Sequence, residues 1–186
     1  MSNILILTNA VSGLHSFRKE VVKAICDAGY KVYISVPEDH EKSGYFREIG
    51  CEVTVIPFRR RGMNPLADFK LVLAYIDLIG KVKPRAVLTY TIKPNIYGGI
   101  AARFCKVPQL ANITGLGDAV ENKGWLQKLT LLLYKIGIGG ASRVYFQNQS
   151  NRAFFIKSGI ANESSILLPG SYVILTSHEI NNSCIY

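Results

Sequence analysis

The chain has 186 residues, 22 of them basic and 13 acidic, for a net charge of +9. Hydrophobic residues make up 48% and charged residues 19%, enough to bury a core, which excludes a disordered polyelectrolyte. The longest late uncharged run, Ser164–Ser177, is 14 residues long and broken by Pro169 and Gly170, too short for a membrane span of about 20 residues.

Strand-length apolar runs recur along the chain, rich in β-branched and aromatic residues. They are Ile4–Leu7, Val32–Val36, Val53–Phe58, Ala86–Tyr90, Gln109–Ile113 and Arg143–Phe146. Between the first two, Phe17, Val21, Ala24, Ile25 and Ala28 mark one apolar helix face, with Ser16 as its cap and Gly29 as its stop. Asn64-Pro65 forms an N-cap and N1 pair for a long helix with Leu66, Phe69, Leu73 and Ile76 on its inner stripe. Further helices are expected at Ile96–Cys105, Trp125–Ile136 and Gln149–Lys157. Alternating strands and helices predict an α/β, Rossmann-like doubly wound parallel sheet.

Charge is concentrated in the middle of the chain. Residues 58–106 carry 10 basic and 2 acidic groups, a local excess of +8. The triplet Arg59-Arg60-Arg61 concentrates repulsion that an anionic partner would relieve. Cys26, Cys51, Cys105 and Cys184 are 25, 54 and 79 positions apart. That spacing argues against a zinc site and against a disulfide framework. The N-terminal apolar run is short and has no basic flank, which argues against a signal peptide. A cytosolic protein is expected.

Ligands of open α/β sheets bind at the carboxyl ends of the strands, which directs attention to Thr8–Ser16, Pro37–Ser43, Thr91–Pro94 and Thr114–Lys123. The first loop lacks G-x-G-x-x-G, so a dinucleotide site is disfavoured even though Glu38 follows the second strand. Gly13 at a helix entrance can still present backbone N–H groups to an anion, or be a plain turn glycine. His15 and Arg18 flank that entrance, and Lys93 follows the fourth strand, where a cation could meet phosphate. Gly115-Leu116-Gly117 permits close backbone approach or is a flexible loop. Asp118 and Glu121 follow without a partner pattern. The helix at Trp125–Ile136 reads first as a core helix with Lys128 and Lys135 outward, and second as one that dips into a bilayer interface.

The segments "ILILTNAVSGLHSFRKEVVKAICDAGYKVYISVPED", "TYTIKPNIYGG", "NITGLGDAVENKG", "FQNQSNRAFFIKSGI" and "LLPGS" resemble the N-terminal domain of family 4 glycosyltransferases. Within that family they are most similar to bacterial enzymes that extend lipid-linked oligosaccharides. The likeness runs from about Ile4 to Ser171. It implies one half of a GT-B fold, with an acceptor-side domain at 1–171 and a divergent tail at 172–186. The implied reaction is retaining hexosyl transfer from a nucleotide-sugar to a lipid-linked or glycan acceptor in surface polysaccharide synthesis, without cofactor or metal. By resemblance, Gly13 faces the donor phosphates, and His15, Arg18, Lys93, Asn95 and the Gly115–Gly117 loop match cleft-lining positions; we assign Arg18, Lys93, Asn95, Gly115 and Gly117 to the acceptor side. His15 is the candidate catalytic residue. Arg59, Arg60, Arg61 and Trp125 are expected to meet the inner face of the cytoplasmic membrane. After "LLPGS", Tyr172 stands where the family has glycine, and no donor-domain E-x7-E pair follows. A half-enzyme, inactive alone, is therefore expected. The alternative is a non-catalytic domain that only binds acceptor lipid or the membrane surface. A nucleic-acid binder ranks below both, because no recognised motif accompanies the basic residues.

Overall fold

The computed structural model describes residues 2–60, 62, 64–115 and 124–168. Within them, β1 (Asn3–Leu7), β2 (Lys31–Val36), β3 (Glu52–Val55), β4 (Ala86–Tyr90), β5 (Gln109–Ile113), β6 (Arg143–Phe146) and β7 (Ile166–Leu167) form one sheet. All pairings are parallel, in the order β3-β2-β1-β4-β5-β6-β7. The helices are α1 (Val11–Asp27), α2 (Ser43–Glu48), α3 (Pro65–Val82), α4 (Gly99–Phe104), α5 (Trp125–Ile138) and α6 (Gln149–Lys157). A π-helical turn, Pro94–Gly98, leads into α4.

Both faces of the central strands β1, β2, β4 and β5 are covered, so these strands are largely buried. β1 shows the alternation: Leu5 and Leu7 enter the core under α3–α6, while Ile4 and Ile6 enter the core under α1 and α2. Each such side chain, fully buried, contributes about 1.5–3 kcal/mol. Tyr134, Phe146 and Phe155 stack edge to face in the first core, with ring centroids 5.1 and 5.4 Å apart.

Glycines set how closely the π-turn approaches its neighbours. A Cβ on Gly98 would lie 2.6 Å from Leu7, and one on Gly137 would lie 2.5 Å from the Ile96 backbone. A Cβ on Gly99 would overlap the Gly137 carbonyl. The two glycines of the "NIYGG" run are therefore required by close packing of the π-turn and α4 against β1 and α5.

Several sequence expectations are corrected. The first helix begins at Val11, five residues before the expected Ser16 cap, and buries Val11, Leu14 and Val22. Phe17 and Val21, expected inside, are exposed. α3 keeps its Asn64 cap, whose Oδ1 accepts from Ala67 N at 3.2 Å. It buries Asp68, Leu71, Tyr75, Leu78, Ile79 and Val82, while Leu66, Phe69 and Leu73 face outward. Two adjacent apolar stripes run along each helix, and periodicity does not say which one meets the sheet. β3 ends at Val55 because Pro57, two residues on, has no N–H to offer a ladder. The short α2 and β7 were not anticipated.

Candidate functional site

Strand order reverses between β1 and β4, the switch point at which doubly wound sheets hold ligands. A cleft of about 390 Å3 opens there. Thr8, Asn9 and Ala10 border it after β1, and Tyr90 and Thr91 at the end of β4. Gly13, Leu14, Phe17 and Arg18 present one edge of α1 to it, while Thr114 and Gln147 close it after β5 and β6.

The start of α1 gives this cleft its electrostatic character. Its N-cap is Ala10, in extended conformation (φ −158°, ψ 121°), which has no side-chain oxygen to accept from the first turn. That turn holds no acidic residue either. Backbone N–H groups and the positive end of the helix dipole therefore face the cleft together, an arrangement that favours an anion. Arg18 adds a guanidinium one turn further on, donating from Nη1 to the Phe17 carbonyl at 2.6 Å. Burial pushes the Tyr90 hydroxyl above its ordinary pKa, against the opposing pull of Arg18.

Thr91 has φ 73°, a left-handed backbone that a β-branched residue rarely adopts. Its hydroxyl donates to the Tyr90 carbonyl, and its own carbonyl accepts from Asn95 N at 3.0 Å. Strain of this kind, about 1–3 kcal/mol, collects where structure is held for a purpose. Neither Thr91 nor Gln147 was singled out from sequence. The strand-end rule reached the Thr91 loop as a whole, and applied to β6 it would have reached Gln147.

Other expected site residues lie elsewhere. Lys93 turns inward: its Nζ meets Asp68 Oδ1 at 2.7 Å, with both side chains about one-tenth exposed. Asp68 Oδ2 also accepts from Asn64 N at 3.1 Å, and burial together with Asp68 raises the pKa of the Tyr97 hydroxyl. The Lys93 charge is thus paired in a strut between α3 and the π-turn. Asn95 is fully buried. Its Oδ1 accepts from Thr89 Oγ1 at 2.6 Å, and its Nδ2 donates to the Asn112 carbonyl at 2.9 Å. Gln109 Nε2 joins the same network through the Asn95 carbonyl and Thr89 Oγ1, each at 3.0 Å. These bonds fix the β4–β5 floor beneath the cleft and leave the Asn95 amide no ligand-facing role.

His15 is not among the residues bordering the cleft. Its ring stands edge-on to Tyr45 at 5.1 Å and near Phe46 at 6.2 Å. Burial, with Lys19 and Lys42 nearby, lowers its pKa. At Gly13 and Gly115 a Cβ would meet nothing within 4 Å, so packing does not demand glycine there. Arg59 and Arg60 are exposed, as is Trp125 at 74%. Arg61, Gly117, Asp118, Glu121 and residues 169–186, including the expected tail, lie outside the described residues.

Comparison with known proteins matches this architecture. The model of the family described as "Glycosyl transferase 4-like" matches residues 3–148. An enzyme of Campylobacter jejuni subsp. jejuni serotype O:2, N,N'-diacetylbacillosaminyl-diphospho-undecaprenol alpha-1,3-N-acetylgalactosaminyltransferase, is 28% identical over 159 residues. That match covers 83% of this chain and 42% of the enzyme, so the chain spans less than half the length of this relative. A glycosyltransferase structure from Rickettsia africae has a TM-score of 0.68 at 16% identity, covering 89% of this chain and 42% of that one. Anabaena HepE, solved in complex with UDP and glucose, has a TM-score of 0.66 at 15% identity, covering 90% and 44%. At such identities the structures speak for the fold alone. With the family pattern matched over most of its length on this sheet, the chain belongs to the glycosyl transferase 4-like family, as the N-terminal Rossmann-like half of a GT-B fold.

Proposed function

We propose that this domain is the acceptor-side half of a glycosyltransferase that moves a hexose from a nucleotide-sugar to a lipid-linked glycan in surface polysaccharide synthesis. The observation that carries the reading is the cleft at the β1/β4 switch point, with the open N-terminus of α1 and Arg18 on one wall. The Campylobacter enzyme's name specifies a diphospho-undecaprenol acceptor, and a diphosphate is the kind of anion such a wall suits. In this reading the first turn of α1, near Gly13, faces the donor phosphates, and Arg18 holds the acceptor diphosphate. The nucleotide-sugar enters as a substrate held mainly by a second domain. Fixed N–H dipoles and a guanidinium aimed at phosphate stabilise developing charge without reorganising, which is the contribution this half would make to the reaction.

Calorimetric titration with farnesyl diphosphate tests the site. Saturable binding is expected, weakened about tenfold by Arg18→Ala, the loss of a charge-assisted hydrogen bond worth about 1.5 kcal/mol. Binding that is indifferent to Arg18 would refute its assignment. No binding at all would remove the acceptor reading.

A second reading, attachment to an anionic membrane surface, is favoured by one observation. Leu66, Phe69 and Leu73 form an exposed apolar stripe on α3, directly after the exposed Arg59 and Arg60. The two readings are compatible, because a lipid-linked acceptor is reached from the membrane. Peripheral placement on the inner face of the cytoplasmic membrane follows from combining them.

A further inference from the structure

Cys26 and Cys51 are 25 positions apart in sequence, yet the fold brings their sulfur atoms to 3.6 Å. Cys26 lies in the last turn of α1, and Cys51 in the turn that leads from α2 into the edge strand β3. The Cys51 N–H donates to the Phe46 carbonyl at 2.9 Å, which fixes that turn. Both side chains belong to the apolar cluster between α1, α2 and the sheet. Both are free thiols, Cys51 buried and Cys26 partly open to solvent.

We propose that Cys26 and Cys51 are an oxidisable pair that closes to an intramolecular disulfide when the protein meets a peroxide. The Cys26 thiolate attacks one peroxide oxygen and breaks the O–O bond, becoming a sulfenic acid. The released hydroxide combines with the proton that the Cys26 thiol had lost. Cys51 sulfur then attacks Cys26 sulfur, the S–O bond breaks, and the hydroxyl leaves as water with the Cys51 proton. Two thiols and one hydrogen peroxide thus give one disulfide and two waters. The order of attack follows from exposure, since the oxidant reaches Cys26 first. Burial, with Cys26 alongside, pushes the Cys51 thiol up to about 12, so it stays protonated until it resolves the sulfenic acid. The sulfurs must approach by about 1.5 Å to reach bonding distance. The resulting bridge would tie the end of α1 to the edge of the sheet.

The test treats the 186-residue chain with hydrogen peroxide, quenches it, alkylates it under denaturing conditions and maps the peptides by mass spectrometry. The expected product is a linked pair of peptides carrying Cys26 and Cys51, reversed by dithiothreitol, with Tm several degrees higher in the oxidised form. In Cys51→Ala the sulfenic acid at Cys26 should persist and be trapped by dimedone, with no linked peptide. Cys26→Ser, at the more exposed position, provides the second variant, and Cys51 in it should survive peroxide as a thiol. The proposal is overturned if both thiols of the wild type still alkylate after peroxide. It is equally overturned if the bridge joins Cys105 or Cys184, or forms only between chains.

Discussion

Lys93 and Asp68 place opposite charges 2.7 Å apart in a nearly dry setting. Removing one partner strands the other charge without solvent, at a cost of about 3–5 kcal/mol. Lys93→Met should therefore lower the urea midpoint strongly, and adding Asp68→Leu should recover most of the loss. A change below about 1 kcal/mol in the single variant would show that the pair is not a strut. His15 supplies a pH dependence. Its pKa is lowered in the fold from an ordinary 6.5, by burial first and then by Lys19 and Lys42. Below 6.5 the unfolded chain binds a proton that the folded chain resists, so stability falls as pH drops through that value and levels off once folded His15 also protonates. His15→Gln should flatten this slope in thermal melts between neutral and mildly acid pH. An unchanged slope would place the titration elsewhere. Sequence named Lys93 and His15 as chemically interesting but could not show what they touch. A side chain's partners arrive from elements far away in the chain: Asp68 is 25 positions from Lys93.

At the scale of elements, α3 shows what a pattern can and cannot say. Asn64 and Pro65 announce its start through local chemistry, and the structure bears them out. Its inward face is decided by Leu71, Tyr75 and Leu78 meeting the sheet, which leaves Phe69 60% exposed. The outward stripe, placed after Arg59 and Arg60, makes α3 a candidate for bilayer contact beside α5, which exposes Trp125, Leu132 and Ile136. α5 buries Thr130, Tyr134, Gly137 and Ile138 and leaves Lys128 and Lys135 outside. Each basic residue near an anionic surface is worth about 1 kcal/mol, attenuated over a Debye length of about 8 Å at physiological salt. Co-sedimentation with vesicles rich in phosphatidylglycerol should therefore weaken in Arg59→Ser/Arg60→Ser chiefly at low salt. In Phe69→Ser it should weaken at both low and high salt. Equal pelleting of all three proteins would reject α3 as the contact.

Among the described residues, seven parallel strands form one sheet whose central strands are packed on both faces. The described strands and α1 carry the wall proposed above for the acceptor, and in that reading the nucleotide is held mainly by a second domain. Stabilisation of a transition state needs both walls at once. On the proposed division of labour between two domains, these 186 residues incubated with labelled UDP-sugars and a polyprenyl-diphosphate acceptor should show no transfer above a heat-killed control, while still binding farnesyl diphosphate. Turnover in a preparation free of other transferases would overturn that division of labour. By itself the sequence determined the alternation of strands and helices, the cap at Asn64, and the family motifs, because these depend on near neighbours and on periods of two and 3.6 residues. Only the tertiary structure decided that α1 starts at Val11 without a side-chain cap, and that Lys93 and Asn95 are buried. It also brought Cys26 to Cys51. Burial and pairing across the sheet depend on which elements become neighbours, and that is fixed by the joint packing of all of them.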